Sequence, residues 1–507
     1  MKKLLVGLVL MGLFHVGISS SSYAQSSSDT AKTSVPEAEK SVTHHTVTVD
    51  GEEIDYTATA GTMILKNNKG EPVATFGYTA YSKDGVEDKS NRPLTFSYNG
   101  GPGSSSIWLH MGVMGPRRVV VKDPESTPPA PYELTDNQYS MLDATDIVMV
   151  DPVGTGLSRP VGKAEGKDFW GVDQDIRSVS NFIKSYISEN KRWNSPKYLL
   201  GESYGTTRSA GVVNYLQGEG IAMNGVVLVS TVLDLRTIAF GDSDNLPYVV
   251  YLPTYAAVAW YHDKLDNKPK NLEAFVQRVR QFASNEYASA LMKGDELSES
   301  RRTQIINKLS EFTGLSTDYL DKANMRVTQS EFTKELLREE GKTVGRLDSR
   351  YKGYSMDNLS QRAFYDPQSS AIGPAYTSMF LNYLHSELEF GQDKQYNISA
   401  GSMEGFDWDW EHGGGWFPTS PTTAPDLSEA MIKNPNLEVL VLNGYYDLAT
   451  PFMGAEYTMD HLNIPSDLEK NISMKYYEAG HMMYIHKPSL EKFHEDVESF
   501  IERTDRD

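Results

Sequence analysis

The chain has 507 residues, 39% of them apolar and 11% aromatic, enough to bury a substantial core and too much for disorder over most of its length. Its formal net charge of -20 repels nucleic acid and anionic membrane surfaces and argues against both as partners. With no cysteine anywhere, disulfides, thiolate metal sites, a cysteine nucleophile and a lipoprotein anchor are excluded together.

In chain order, residues 1–24 read as a signal peptide. Lys2 and Lys3 form a charged start, Leu4 to Ile18 an apolar stretch too short to span a bilayer, and Ser22-Tyr23-Ala24 a small-x-small site with cleavage expected after Ala24. The mature protein is expected to be periplasmic or secreted, with no membrane span once the signal is removed. Residues 25–40, rich in Ser, Thr, Lys and Glu, read as a flexible leader. Short alternating runs from His45 to Tyr81, separated by Asp-Gly and Lys-Gly, predict antiparallel hairpins.

The pattern then changes. Leu94 to Tyr98, Ile147 to Val150, Tyr198 to Leu200, Val226 to Val229 and Leu437 to Leu442 are apolar runs of buried-strand length. Helical stretches lie between them, the clearest carrying Val172, Ile176, Val179, Ile183, Tyr186 and Ile187 at helical spacing. Such alternation predicts an α/β protein with a mostly parallel central sheet flanked by helices. From about Leu235 to Tyr376 charged amphipathic stretches replace the strands, and no strand is expected there. This divides the mature chain into a first core part (41–234), a mainly helical insertion or lid (235–376) and a second core part (377–507), with no internal repeat.

The strongest local signal is Gly201-Glu202-Ser203-Tyr204-Gly205, a G-x-S-x-G run between an apolar strand and an amphipathic helix. A serine on such a strand-to-helix turn projects its hydroxyl from the carboxyl end of a sheet, in the manner of the α/β-hydrolase fold. The helix amino terminus behind it favours developing negative charge. A serine nucleophile needs a base and a group that orients the base, following here in the order acid, then histidine. Asp447 and His481 stand just past two later strands, in LEVLVLNGYYDLATP and ISMKYYEAGHMMYIHKP. Taken singly, Asp447 could be a turn or cap residue and His481 a surface histidine; the order and placement of all three favour a triad. The oxyanion needs backbone donors. The N–H of Tyr204 is one candidate, and the loop Asn99-Gly100-Gly101-Pro102-Gly103, directly after a strand, supplies a second.

In this order NGGPGSSS, DPVGTGLS, GESYG, the Asp447 turn followed by Thr-Pro, and GHMMY resemble the signature segments of serine carboxypeptidases, in a divergent bacterial form. The resemblance implies Ser203 as nucleophile, His481 as general base and Asp447 as its partner. It also implies Gly101 and Tyr204 as the oxyanion hole, and Asn99 and Glu202 as the residues that bind the substrate's terminal carboxylate. Glu202 would do so protonated, as a hydrogen-bond donor. The substrates implied are peptides with a free C-terminus; no cofactor and no metal are expected.

Departures from the family pattern are Ser104 in place of a cysteine, Gly205 in place of alanine, and Asn443-Gly444-Tyr445-Tyr446 in place of Gly-Asp. The glutamate that typical members often carry fourteen positions after the asparagine, where it pairs with the Glu202 equivalent, is Val113 here, so the resemblance leaves the pH optimum open, though not the triad. Two weaker candidates remain. His44-His45 reads as a solvated strand end or half of a metal site. The aromatic and acidic segment Met403 to Trp416 reads as a wall of the substrate cleft or a packed loop. Competing functions are an esterase or acyltransferase using the same triad, and a catalytically silent binding protein on the same fold. No feature assigns an oligomeric state.

Overall fold

Alternation of β-branched, small and polar residues after Lys40 folds as three antiparallel strands, β1 (Lys40–Val49), β2 (Glu52–Lys66) and β3 (Pro72–Lys83). In this computed structural model the described residues are 36–241, 243–414 and 420–505. The expected signal peptide, residues 25–35 of the expected leader, and residues 415–416 of the aromatic segment lie outside them.

The strands continue with β4 (Leu94–Tyr98), a ribbon of β5 (Arg117–Val120) and β6 (Glu133–Asp136), then β7 (Asp146–Val150), the short β8 (Arg159–Pro160), β9 (Lys197–Glu202) and β10 (Gly225–Val229). After a second ribbon, β11 (Lys342–Val344) and β12 (Lys352–Tyr354), come β13 (Glu438–Gly444) and β14 (Ile472–Tyr477). Among the described residues one ten-stranded sheet runs in the order β1-β2-β3-β7-β4-β9-β10-β13-β14, with β8 beside β3. From β7 to β14 every pairing is parallel.

The central strands β4, β7, β9 and β10 are buried along their whole length and mostly apolar, because both faces are covered. In β13, Leu440 and Leu442 enter one core while Val439 and Val441 enter the other; Val227 and Val229 of β10 oppose Val226 and Leu228 in the same way. The principal helices are α1 (Val172–Glu189), α2 (Tyr204–Gly218), α3 (Leu246–Tyr261), α4 (Leu272–Phe282) and α5 (Glu299–Thr313). They continue with α6 (Gln329–Glu335), α7 (Pro367–Ser386), α8 (Ala424–Lys433), α9 (Phe452–Asp460) and α10 (Lys487–Thr504). Helices α7 and α10 cover the first face, and α1, α2 and α8 the second. A mostly parallel central sheet covered by helices on both faces is the architecture that the strand-and-helix alternation predicted.

Helices α3 to α6 build a third core of their own, which closes against Tyr445, Tyr446, Leu448 and Phe452. The expectation of no strand between residues 235 and 376 is corrected by the β11–β12 ribbon, whose three-residue strands carry lysines and are too short to give an alternating signal. The expected boundary after residue 376 falls inside α7. No helix among the described residues is long and apolar enough to cross a membrane.

Candidate active site

The register aligns the carboxyl ends of the central strands along one rim. Tyr98 pairs with Gly201, Glu202 with Val229, Val229 with Leu442 and Gly444 with Tyr477. Between β4 and β9 the chain connections diverge, since β4 leads to β7 on one side and β9 to β10 on the other. A crevice opens at such a switch point. Asn99 leaves one strand there and Ser203 the other.

Ser203 sits at φ +61°, ψ -130°, a backbone conformation rare for a residue with a side chain and typical of a sharp strand-to-helix elbow. Its turn closes because a side chain on Gly201 would overlap the carbonyl of Gly205. Tyr204 is the first residue of α2, so its N–H has no acceptor within the helix. Gly100 lies so close to this N–H that any side chain there would overlap it. The adjoining Gly101 has φ +107°, and its N–H takes no part in the turn's backbone hydrogen bonds, although Ser104 N–H bonds to the Gly100 carbonyl at 3.0 Å.

Asp447 is fully buried and receives four hydrogen bonds. Ala449 N–H (2.8 Å) and Thr450 N–H (3.0 Å) reach Oδ1, while Thr450 Oγ1 (2.7 Å) and His481 Nδ1 (2.7 Å) reach Oδ2. With Nδ1 committed to Asp447, the His481 ring leaves Nε2 as its free basic nitrogen. The backbone around it is pinned as well: His481 N–H bonds to the Leu347 carbonyl at 2.7 Å, its carbonyl accepts from Ser230 Oγ at 2.7 Å, and Gly480 N–H reaches Asp348 Oδ2 at 3.2 Å. Burial by itself would lower the His481 pKa, but the Asp447 carboxylate and its hydrogen bond, with Glu202 behind, hold it above its usual 6.5. Among the described residues no hydrogen bond reaches Ser203 Oγ; such contacts tighten when substrate is bound.

Asn99 and Glu202, both buried, are joined by a 2.7 Å hydrogen bond from Asn99 Nδ2 to Glu202 Oε1. Tyr484 Oη donates to the other carboxyl oxygen at 2.6 Å. Burial raises the Glu202 pKa above the ordinary carboxylate range, against the lowering effect of His481 and of the two donors. Below the elbow, the fully buried Arg208 of α2 bonds to Asp175 of α1 at 2.6 Å and to the Asn99 carbonyl at 2.8 Å, and lies over the Tyr98 and Tyr204 rings. One arginine thus ties the Asn99 loop to the helix that carries Ser203.

The family model described as serine carboxypeptidase matches residues 58–489. The chain belongs to the serine carboxypeptidase family. It is accordingly a hydrolase of α/β-hydrolase fold. Among solved structures it is similar to Kex1Δp, a prohormone-processing carboxypeptidase from Saccharomyces cerevisiae, at 15% identity and a TM-score of 0.53, over 88% of this chain and 91% of that one. A proline iminopeptidase from Mycobacterium smegmatis resembles it more distantly, at 13% identity and a TM-score of 0.36, over 88% and 98% of the two chains. No curated protein matches the chain in sequence.

In this serine carboxypeptidase the positions that depart from the family pattern make contacts of their own. The Ser104 hydroxyl, where the family has a cysteine, accepts from Trp108 Nε1 at 3.1 Å, and its backbone is bridged antiparallel to Ser399 by Ser105 N–H to Ile398 O (3.0 Å) and Ala400 N–H to Gly103 O (2.8 Å). Gly205 abuts the Tyr98 carbonyl, where a methyl group would stand 3.0 Å away. Tyr445 N–H and Tyr446 N–H bond to the carbonyls of Tyr477 and Ala479, lacing the Asp447 turn to the His481 turn. Val113 is fully buried among apolar side chains.

The described part of the aromatic segment packs beside this rim. Phe406 touches Gly103, and the Trp408 and Trp410 rings stand edge-on to Tyr204. His412 anchors the segment between Asp426 and Asp173, which together raise its pKa to about 9 despite burial. His44 and His45 lie on β1, bonded to Thr57 and Thr43 and away from the rim. Among the described residues only Asp143, His494 and Glu498 bring three potential metal ligands together, and Asp143 lies before the amino end of β7, at the opposite end of the strands from the rim.

Sequence reasoning passed over Thr450 and Tyr484, which lie inside the motifs it used, and Asp348. For Asp348 no local signal existed: its role follows from the β11–β12 hairpin folding back beneath Gly480.

Proposed function

We propose that the protein is a serine-type carboxypeptidase that removes the last residue of peptides through an acyl-enzyme. Ser203 is the nucleophile, His481 the base that takes its proton and returns it to the leaving amine, and Asp447 the group that holds the imidazole in the working tautomer. The N–H groups of Tyr204 and Gly101 stabilise the oxyanion. Asn99 donates to the terminal carboxylate of the substrate. Glu202, when protonated, donates to it as well, whereas an ionised glutamate would repel it.

The observation that carries this reading is the buried, mutually bonded Asn99–Glu202 pair beside Ser203. An esterase or a protease without end specificity has no use for a carboxyl group kept out of water there. Residues 1–24 support the further reading that the enzyme is exported. The peptide-bond specificity is tested with a blocked dipeptide and its C-terminal amide, assayed from about pH 4 to 8. Release from the free acid alone, abolished in Ser203→Ala, is the expected result. Equal turnover of the amide or of a simple ester would leave a general serine hydrolase.

A further inference from the structure

Glu202 is removed from water without a cationic side chain of its own. Each of its oxygens receives one neutral donor, and the polarity of both bonds can be read from their surroundings. Asn99 Oδ1 accepts the Leu109 N–H at 3.1 Å, which turns the amide nitrogen toward Glu202 Oε1. The Tyr484 hydroxyl has a single proton, and Glu202 Oε2 is its acceptor. The tyrosine ring is wedged in place: a side chain on Gly112 would overlap it and crowd the Tyr376 hydroxyl as well, and Phe493 meets it edge-on. Position 113, next to this glycine, is the apolar Val113, so no second carboxyl group shares the Glu202 proton.

We propose that Tyr484 is a positioning residue that sets the protonation of Glu202, and so the pH range over which the enzyme holds the terminal carboxylate of its substrate. The proposal rests on the carboxylate-reading role of Asn99 and Glu202. A phenol that donates to a carboxyl group favours its ionised form, because the charged oxygen is the better acceptor. The other groups facing Glu202 are His481 and Asp447 from the turns after β14 and β13, Asn99 from the loop after β4, and the Tyr376 phenol of α7. The turn at residues 110–114 adds no charge: burial keeps His110 neutral, and its ring is bonded to Tyr81 at 2.6 Å. Of these groups Tyr484 alone both touches the Glu202 carboxyl group and can be stripped of its proton donor without losing its ring.

The test measures KM and kcat against pH for a blocked dipeptide, its C-terminal amide and a small ester with no terminal carboxylate. In Tyr484→Phe, Glu202 should keep its proton to higher pH. The pH at which KM for the free acid climbs is expected to rise by about one unit, equivalent to about tenfold in KM above the transition. Ester turnover, which involves no terminal carboxylate, reports whether the variant enzyme is folded. Placing 3-fluorotyrosine at position 484 strengthens the donor without changing its shape and should move the same transition downward. Movement in opposite directions supports the proposal, since a purely structural tyrosine would produce neither shift. A wild type that prefers the free acid, with unshifted KM profiles in both variants, overturns it. A wild type indifferent to the free acid overturns the carboxylate reading and this proposal with it.

Discussion

Thr450 gives Asp447 two of its four hydrogen bonds, and its hydroxyl is the one that shares Oδ2 with His481. A hydrogen bond to a buried charge is worth about 1.5–3 kcal/mol. Thr450→Val is therefore expected to lower kcat by about ten- to a hundredfold with little change in KM, and Thr450→Ser to restore it; steady-state kinetics on the ester separate the two parameters. The pH dependence has a definite sign. His481 acts as a base only when neutral, and its pKa in the free enzyme lies above 6.5, so ester kcat/KM should rise with pH through a midpoint above that value. The same shift means that protonated His481 contributes stability below pH 6.5, lost as pH rises through the folded-state value. Glu202 acts oppositely, since binding of the free acid weakens as it ionises. Together the two groups leave a band of pH for peptide hydrolysis, and its alkaline side should be absent for the ester.

At the scale of elements, α2 does more than present Ser203. Its Arg208 joins α1 through Asp175 and the β4 loop through Asn99, all out of contact with water. Removing one partner of such a pair leaves an uncompensated buried charge, so Arg208→Ala should destabilise the protein by about 3–5 kcal/mol in urea unfolding. Arg208→Met combined with Asp175→Leu should recover much of that loss, because it removes both charges. It should not recover activity, since the Asn99 carbonyl still lacks its donor. Elements also differed in how far their sequence betrayed them. The central parallel strands are buried on both faces and mostly apolar, and stand out as runs at Leu94–Tyr98 and Val226–Val229. The β11–β12 ribbon is held by three residue pairs and partly exposed, so its composition is that of a loop.

Over the whole molecule, two sheet cores and a helical core meet at the Asp447 turn. Phe452, fully buried just after that turn, belongs to the helical core and lies under the Arg280 guanidinium at 4.8 Å. Phe452→Ala should cost about 3–5 kcal/mol and lower the thermal midpoint, with activity falling in parallel as the turn loosens. Net charge acts on the same scale. At -20 the chain repels itself, and raising salt from about 0.01 to 0.15 M shortens the screening length from about 30 to 8 Å, so the midpoint measured by calorimetry should rise. The family, the strand-and-helix order and the motifs at Asn99, Ser203, Asp447 and His481 were legible in the sequence, because each depends on residues a few positions apart: strand periodicity, an elbow between glycines, turns after apolar runs. What meets what across the chain was not. Tyr484 and Glu202 stand 282 positions apart, Gly480 and Asp348 132, and the Ser104–Ser399 bridge uses backbone atoms that every residue has. Only the stacking of parallel strands carries such groups to one rim, and burial then decides their protonation, since the cost of charge depends on the water that packing removes.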